Sequence, residues 1–183
     1  MEKVKAIDFY KAWLKIVNNR EDELRQVWRK NKLYTKCIIG NENSVIKEVA
    51  NELNLLSYEN NYYSIDTVLY KPEDLTPEIN KDTFWFRDLR VAFEHENNFS
   101  SGLYQEVSHL LITNCDLKVL VTYPNKEIEI ELEYLHKVIS GNRNSNIISK
   151  EKSFLMIFGY ENEFKWEGWI YEEENWIEIK HSS

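Results

Sequence analysis

The sequence predicts an α/β (α+β) fold, with a central mixed β-sheet flanked by helices and a C-terminal aromatic-rich β-hairpin. Three observations carry this prediction. Near the start of the chain, Ala12, Trp13, Ile16 and Val17, then Leu24, Val27 and Trp28, recur at helical spacing. Short runs rich in β-branched and aromatic residues follow, the strongest at residues 117–123. Between the run ending at Glu96 and that strand lies a crossover-length segment with its own helical periodicity, which allows the two strands to be parallel neighbours.

Taken in order, residues 6–30 read as helix, with Asn18-Asn19 as an interruption and Gly40-Asn41 closing the region. Asn43 or Ser44 can cap a second helix carrying Val45, Ile46, Val49, Ala50 and Leu53. A short strand near 55–59, a turn at Asn60-Asn61 and a strand over 62–70 come next. Pro72 and Pro77 frame a polar surface connection, 71–81. The next strand starts at Phe84 or Leu89 and runs to Glu96; Ser100 or Ser101 caps a helix over 103–112. Pro124 ends the strand 117–123. A helix over 129–139, a polar loop over 140–150, a strand over 154–160 and a hairpin over 164–180 complete the chain. No linker divides it, so residues 1–183 read as one domain, with an N-terminal helical segment at 5–30 and a C-terminal helix and strands at 129–180.

The formal net charge of −8 argues against a basic coat that binds nucleic acid without specificity, since that mode needs a positive footprint. It leaves room for a nuclease, whose acidic cluster a bound cation would offset. No signal peptide or membrane span is visible, so a cytoplasmic protein that does not enter the membrane is expected. Cys37 and Cys115 are far apart and lack metal-ligand spacing, which reads as two buried free thiols. There is no glycine-rich phosphate loop and no Gly-x-Ser-x-Gly elbow, and His109, His136 and His181 are scattered.

The chemistry-bearing residues are Asp66, Glu94 and Glu96. Strand side chains alternate, so Glu94 and Glu96 share one face while Phe93 and His95 take the other. An Asp66 facing the same way from a neighbouring strand would bring three carboxylates together. Such a cluster repels itself unless a cation sits in it, which makes Mg2+, with Mn2+ as an alternative, the expected cofactor. The bland reading is a solvated sheet face, with Arg90 or a cross-strand cation pairing the glutamates. Gln105 and Glu106 read as an exposed helix face, and Lys118 as a strand lysine that could reach the cleft.

Element order and carboxylates together resemble the restriction-endonuclease-like, or PD-(D/E)xK, nuclease superfamily. The matching parts are the helix with Glu48, the segment Tyr63-Ser64-Ile65-Asp66, the segment Glu94-His95-Glu96, and the helix and strand that follow, approximately residues 44–123. The resemblance implies a restriction-endonuclease-like core with Asp66 and Glu94 as metal ligands and Glu96 in the third catalytic position. It also implies Glu48 as a further acidic residue close to the metal; ordinary helix-surface charge is its other reading. Ser64-Ile65 replaces the proline that often precedes the aspartate, and Glu96 replaces the usual lysine, as it does in a few active restriction enzymes. The implied activity is metal-dependent phosphodiester hydrolysis of nucleic acid, DNA first. The competing expectations are a non-catalytic structural, binding or assembly module that keeps the nuclease-like fold, and an acidic inhibitor of a basic partner. A homodimer or a protein partner is compatible with the aromatic-rich tail.

Overall fold

The computed structural model describes residues 3–40, 42–78 and 83–180. Four helices come first: α1 (Ala6–Asn19), α2 (Glu21–Val27), α3 (Asn31–Ile38) and α4 (Val45–Glu52). The predicted 6–30 helix breaks at Arg20, whose backbone N–H caps α1 on the carbonyls of Ile16 and Val17. Helix α2 restarts there with Glu21, Asp22 and Glu23 in its first turn, where carboxylates suit the positive end of the helix dipole. Helix α3 was not expected from the sequence. Ser44 does cap α4, accepting from the Lys47 N–H at 3.2 Å.

The remaining elements are β1 (Leu56–Tyr58), β2 (Thr67–Tyr70), β3 (Val91–Glu96), α5 (Tyr104–Ile112), β4 (Leu117–Thr122), α6 (Glu129–Ser140), α7 (Ser145–Glu151), β5 (Phe154–Tyr160), β6 (Lys165–Tyr171) and β7 (Trp176–Glu178). They form one mixed sheet of seven strands in chain order. The pairs β1/β2 and β2/β3 are antiparallel, β3/β4 and β4/β5 parallel, and β5/β6 and β6/β7 antiparallel. The two parallel joins need crossovers, which α5 and the α6–α7 pair supply.

Alternation along the strands sorts the core into two layers. Val91, Phe93, Val119, Val121 and Ile157 face α1–α4, where Phe9, Trp13 and Val49 are fully buried. Ala92, Leu120, Met156 and Phe158 face α5–α7 and meet Val107, Leu110 and Leu135. The C-terminal hairpin closes tightly on α1: a Cβ added at Gly168 would stand 2.9 Å from the Tyr10 ring, so only glycine allows that approach.

Three expectations change. The 62–70 strand begins only at Thr67, because residues 62–65 form a tight turn with Tyr63 and Ser64 at positive φ. The polar loop 140–150 is largely the helix α7, anchored by buried Ile148. Connection 71–81 opens with a 3-10 turn at Pro72–Asp74; its final residues, like His181, lie outside the described residues. Among the described residues no helix is long and apolar enough to cross a membrane.

Candidate functional site

Strand β3 sits between antiparallel β2 and parallel β4, and its parity sends Glu94 and Glu96 toward the α5 layer while His95 faces α1–α4. Glu94 is 4% exposed, a glutamate held inside the sheet face opposite Leu120. Asp66 lies immediately before β2. Extending the Thr67–Phe93 register by one pair sets it across from Glu94.

The local backbone explains why Asp66 points inward. In a continued ladder the N–H of His95 would look for the carbonyl of Ile65, but that carbonyl accepts from Tyr62 N–H at 2.8 Å in the tight turn. The Asp66 carboxylate takes its place, with Oδ2 accepting from His95 N–H at 2.9 Å. The Asp66 N–H in turn donates, at 3.4 Å, to Glu94 Oε2. Two backbone amides thus bind the two carboxyls to each other's strands.

The electrostatics follow from that confinement. Burial, then the negative charge of Asp66, pushes the Glu94 carboxyl up to about 9. Burial and the neighbouring carboxylate thus favour the protonated form of Glu94 near neutral pH. Burial raises Asp66 as well, opposed by the His95 N–H. Glu94 Oε1 is fully buried with no hydrogen-bond partner among the described residues. His109 Nδ1 on α5 lies 3.5 Å from it, too long for a good hydrogen bond. Glu96, half-buried, accepts from Asn98 N–H and lies beside Glu106 of α5; burial and that second carboxylate both raise it.

The other sequence candidates go elsewhere. Glu48 pairs with Arg20 at 3.0 Å, tying α4 to the junction of α1 and α2; no described contact brings it to the Asp66–Glu94 pair. Arg90 does not neutralise the glutamates, because its buried guanidinium forks onto Asp74 through Nε at 2.7 Å and Nη2 at 2.5 Å. Lys118 shares the Glu94 face but pairs with Ala92, one step back along the sheet, and its ammonium turns to Cys115 Sγ at 3.6 Å. It lines a cavity of about 600 Å3 at the opposite end of β3 and β4.

Sequence reasoning set Glu106 on a helix whose N-terminus could hold phosphate near the cleft, or on an exposed face, and left His109 as a scattered histidine; the structure brings both beside the carboxyl pair. The signal was present: they stand three apart on a helix, hence on one face, and that helix follows the Glu-x-Glu strand. Among the described residues no three His, Cys, Asp or Glu side chains are grouped as a ready metal cage. What exists is a buried pair, Asp66 and Glu94, with Glu96, Glu106 and His109 beside it. Comparison with protein-family models, with curated proteins and with solved structures finds no match for this chain.

Proposed function

We propose that this protein hydrolyses phosphodiester bonds of nucleic acid with the help of a divalent cation held by Asp66 and Glu94. The observation that carries the reading is the buried Glu94 beside Asp66, with an oxygen left unpartnered among the described residues. A buried carboxyl in contact with another is costly, and a cation is the ligand that relieves it. The pair fits Mg2+ or Mn2+, because such an ion commonly takes one or two protein carboxylates and fills its other positions with water and phosphate oxygens. When bound, the ion would supply Lewis acidity to the phosphate and to water.

The chain's own residues do the rest. His95 N–H fixes the Asp66 carboxylate, burial keeps Glu94 protonated, and His109 Nδ1 stands 3.5 Å from Glu94 Oε1; Asp66 and Glu94 would hold the cation, Glu94 as its carboxylate. Glu96 stands where the restriction-endonuclease-like pattern has lysine and borders the pair with Glu106. Support for the restriction-endonuclease-like core comes from the order α4, antiparallel β1–β2–β3, α5, then β4 parallel to β3.

The test is a cleavage panel of single- and double-stranded DNA and RNA with Mg2+ and Mn2+, metal binding being followed separately by calorimetry. Asp66→Ala and Glu94→Ala should each abolish cleavage and weaken Mn2+ binding while the protein stays folded. One observation favours a second reading, a binding or assembly module: among the described residues no lysine ammonium or arginine guanidinium forms an ion pair with Asp66 or Glu94. A folded, metal-loaded protein that cleaves nothing in the panel would select that reading.

A further inference from the structure

The turn that delivers Asp66 is strained, and the ring it holds packs little. Tyr63 sits at φ +50° and Ser64 at φ +69°, a left-handed conformation that a bulky side chain adopts only at a cost. Paired hydrogen bonds between Tyr62 and Ile65, and one from Ser64 N–H to Asn61 Oδ1, hold the turn closed. Glycine or asparagine would suit Tyr63's position better. Instead the chain keeps a tyrosine there that is 72% exposed. The turn directs Asp66 inward, and it leaves the Tyr63 ring at the surface.

A second ring stands beside it. Trp85 is 53% exposed, with its ring centroid 6.4 Å from that of Tyr63. Tyr63 is braced by Tyr62, which packs edge-on against it at 4.8 Å and against half-buried Phe86 at 4.9 Å. Tyr63 is three residues from Asp66, so the two Cα atoms are at most about 11 Å apart, the reach of a few nucleotides. The surface is poorly suited to gripping a duplex by charge, since the chain carries net charge −8. Two exposed ring faces, tilted 53° to each other and close in sequence to the proposed cation site, suit a strand whose bases are free to stack on each separately.

We infer that Tyr63 and Trp85 form a stacking platform for unpaired bases, so that the substrate class is single-stranded or splayed nucleic acid rather than intact duplex. This rests on the phosphodiester reading for the chemistry, but the binding itself is separable. With Mg2+ present, a labelled oligomer of unpaired thymidines or uridines should bind more tightly than a blunt duplex by fluorescence anisotropy. The Tyr63→Ala/Trp85→Ala double variant should lose about tenfold or more of that affinity and leave duplex binding unchanged. Tyr63→Phe/Trp85→Phe should restore most of it, because the aromatic face and not the polar atom is at work. In turnover the alanine variant should raise KM on the single strand with kcat nearly constant. The inference is overturned if the alanine variant binds like the wild type, if the wild type prefers duplex, or if sedimentation shows that this face joins two copies and the variant only changes the oligomeric state. Ring-dependent binding without any cleavage would remove the hydrolase reading and leave the platform standing; cleavage with an unchanged KM in the variant would do the reverse.

Discussion

Glu94 is where the burial and the charge of this protein meet, and its proton is the handle for testing the site. The ordinary carboxyl value is 4.5 and the folded value is raised to about 9, so between these limits the folded state holds a proton that the unfolded chain has released. Its contribution to stability is complete below pH 4.5 and is lost as pH rises through about 9. The metal-free protein should therefore melt at progressively lower temperature between about pH 6 and pH 9, and Glu94→Gln should flatten that fall. His95 acts in the opposite direction: burial lowers it to about 3, so it removes stability as pH drops below 6.5. The comparison of variant with wild type isolates Glu94 from that trend. A wild-type slope that the variant leaves untouched would assign the proton elsewhere. The same argument predicts that Mn2+ binding at neutral pH releases about one proton, read from the calorimetric heat in buffers of different ionisation enthalpy. Glu94→Gln should release close to none.

At the level of elements, the boundaries most open to test are those at which side chains replace backbone partners. Ser44 accepts from Lys47 N–H and donates to Glu59 Oε2 at 2.7 Å, an oxygen that also accepts from Gly40 N–H at 2.6 Å, so Ser44→Ala removes the cap and leaves Glu59 partnered. It should cost about 1 kcal/mol in urea unfolding, the typical value for a lost cap; a loss under about 0.3 kcal/mol would show the cap to be dispensable. The sheet and most helices were legible because β3, β4 and β5 are apolar runs with clear ends and α1 and α4 carry an unbroken stripe. The short helix α7 was not: in seven residues only Ile148 is fully buried, which is too little periodicity to outweigh a polar composition. The carboxylate pair was legible from strand parity and from the family resemblance. The reason Asp66 points inward was hidden, because it depends on how the 62–65 turn uses the Ile65 carbonyl. Glu106 and His109 were hidden for a related reason, since only the crossover packing of α5 decides which polar helix face meets β3.

For the whole molecule the question is how a protein of net charge −8 would hold a polyanion. Much of its positive charge is already engaged: Lys15, Arg25, Arg29, Lys137 and Lys152 each stand within 2.8 Å of a carboxylate. Exposed pairs of this kind add little stability, and it is the acidic balance of the whole chain, 31 Asp and Glu against 23 Lys and Arg, that opposes counterion-release binding to a phosphate backbone. On the proposed reading, affinity would come from a cation at Asp66 and Glu94 and from ring stacking, neither of which releases many counterions. A plot of log affinity for a single strand against log KCl concentration should have a slope shallower than about −2, against about −0.7 per phosphate neutralised. Chelating the divalent cation should remove most of the binding at every salt concentration. A slope steeper than about −4 that survives chelation would reveal a basic footprint that the described ion pairs do not suggest. The carboxyl pair would then be peripheral to nucleic-acid binding.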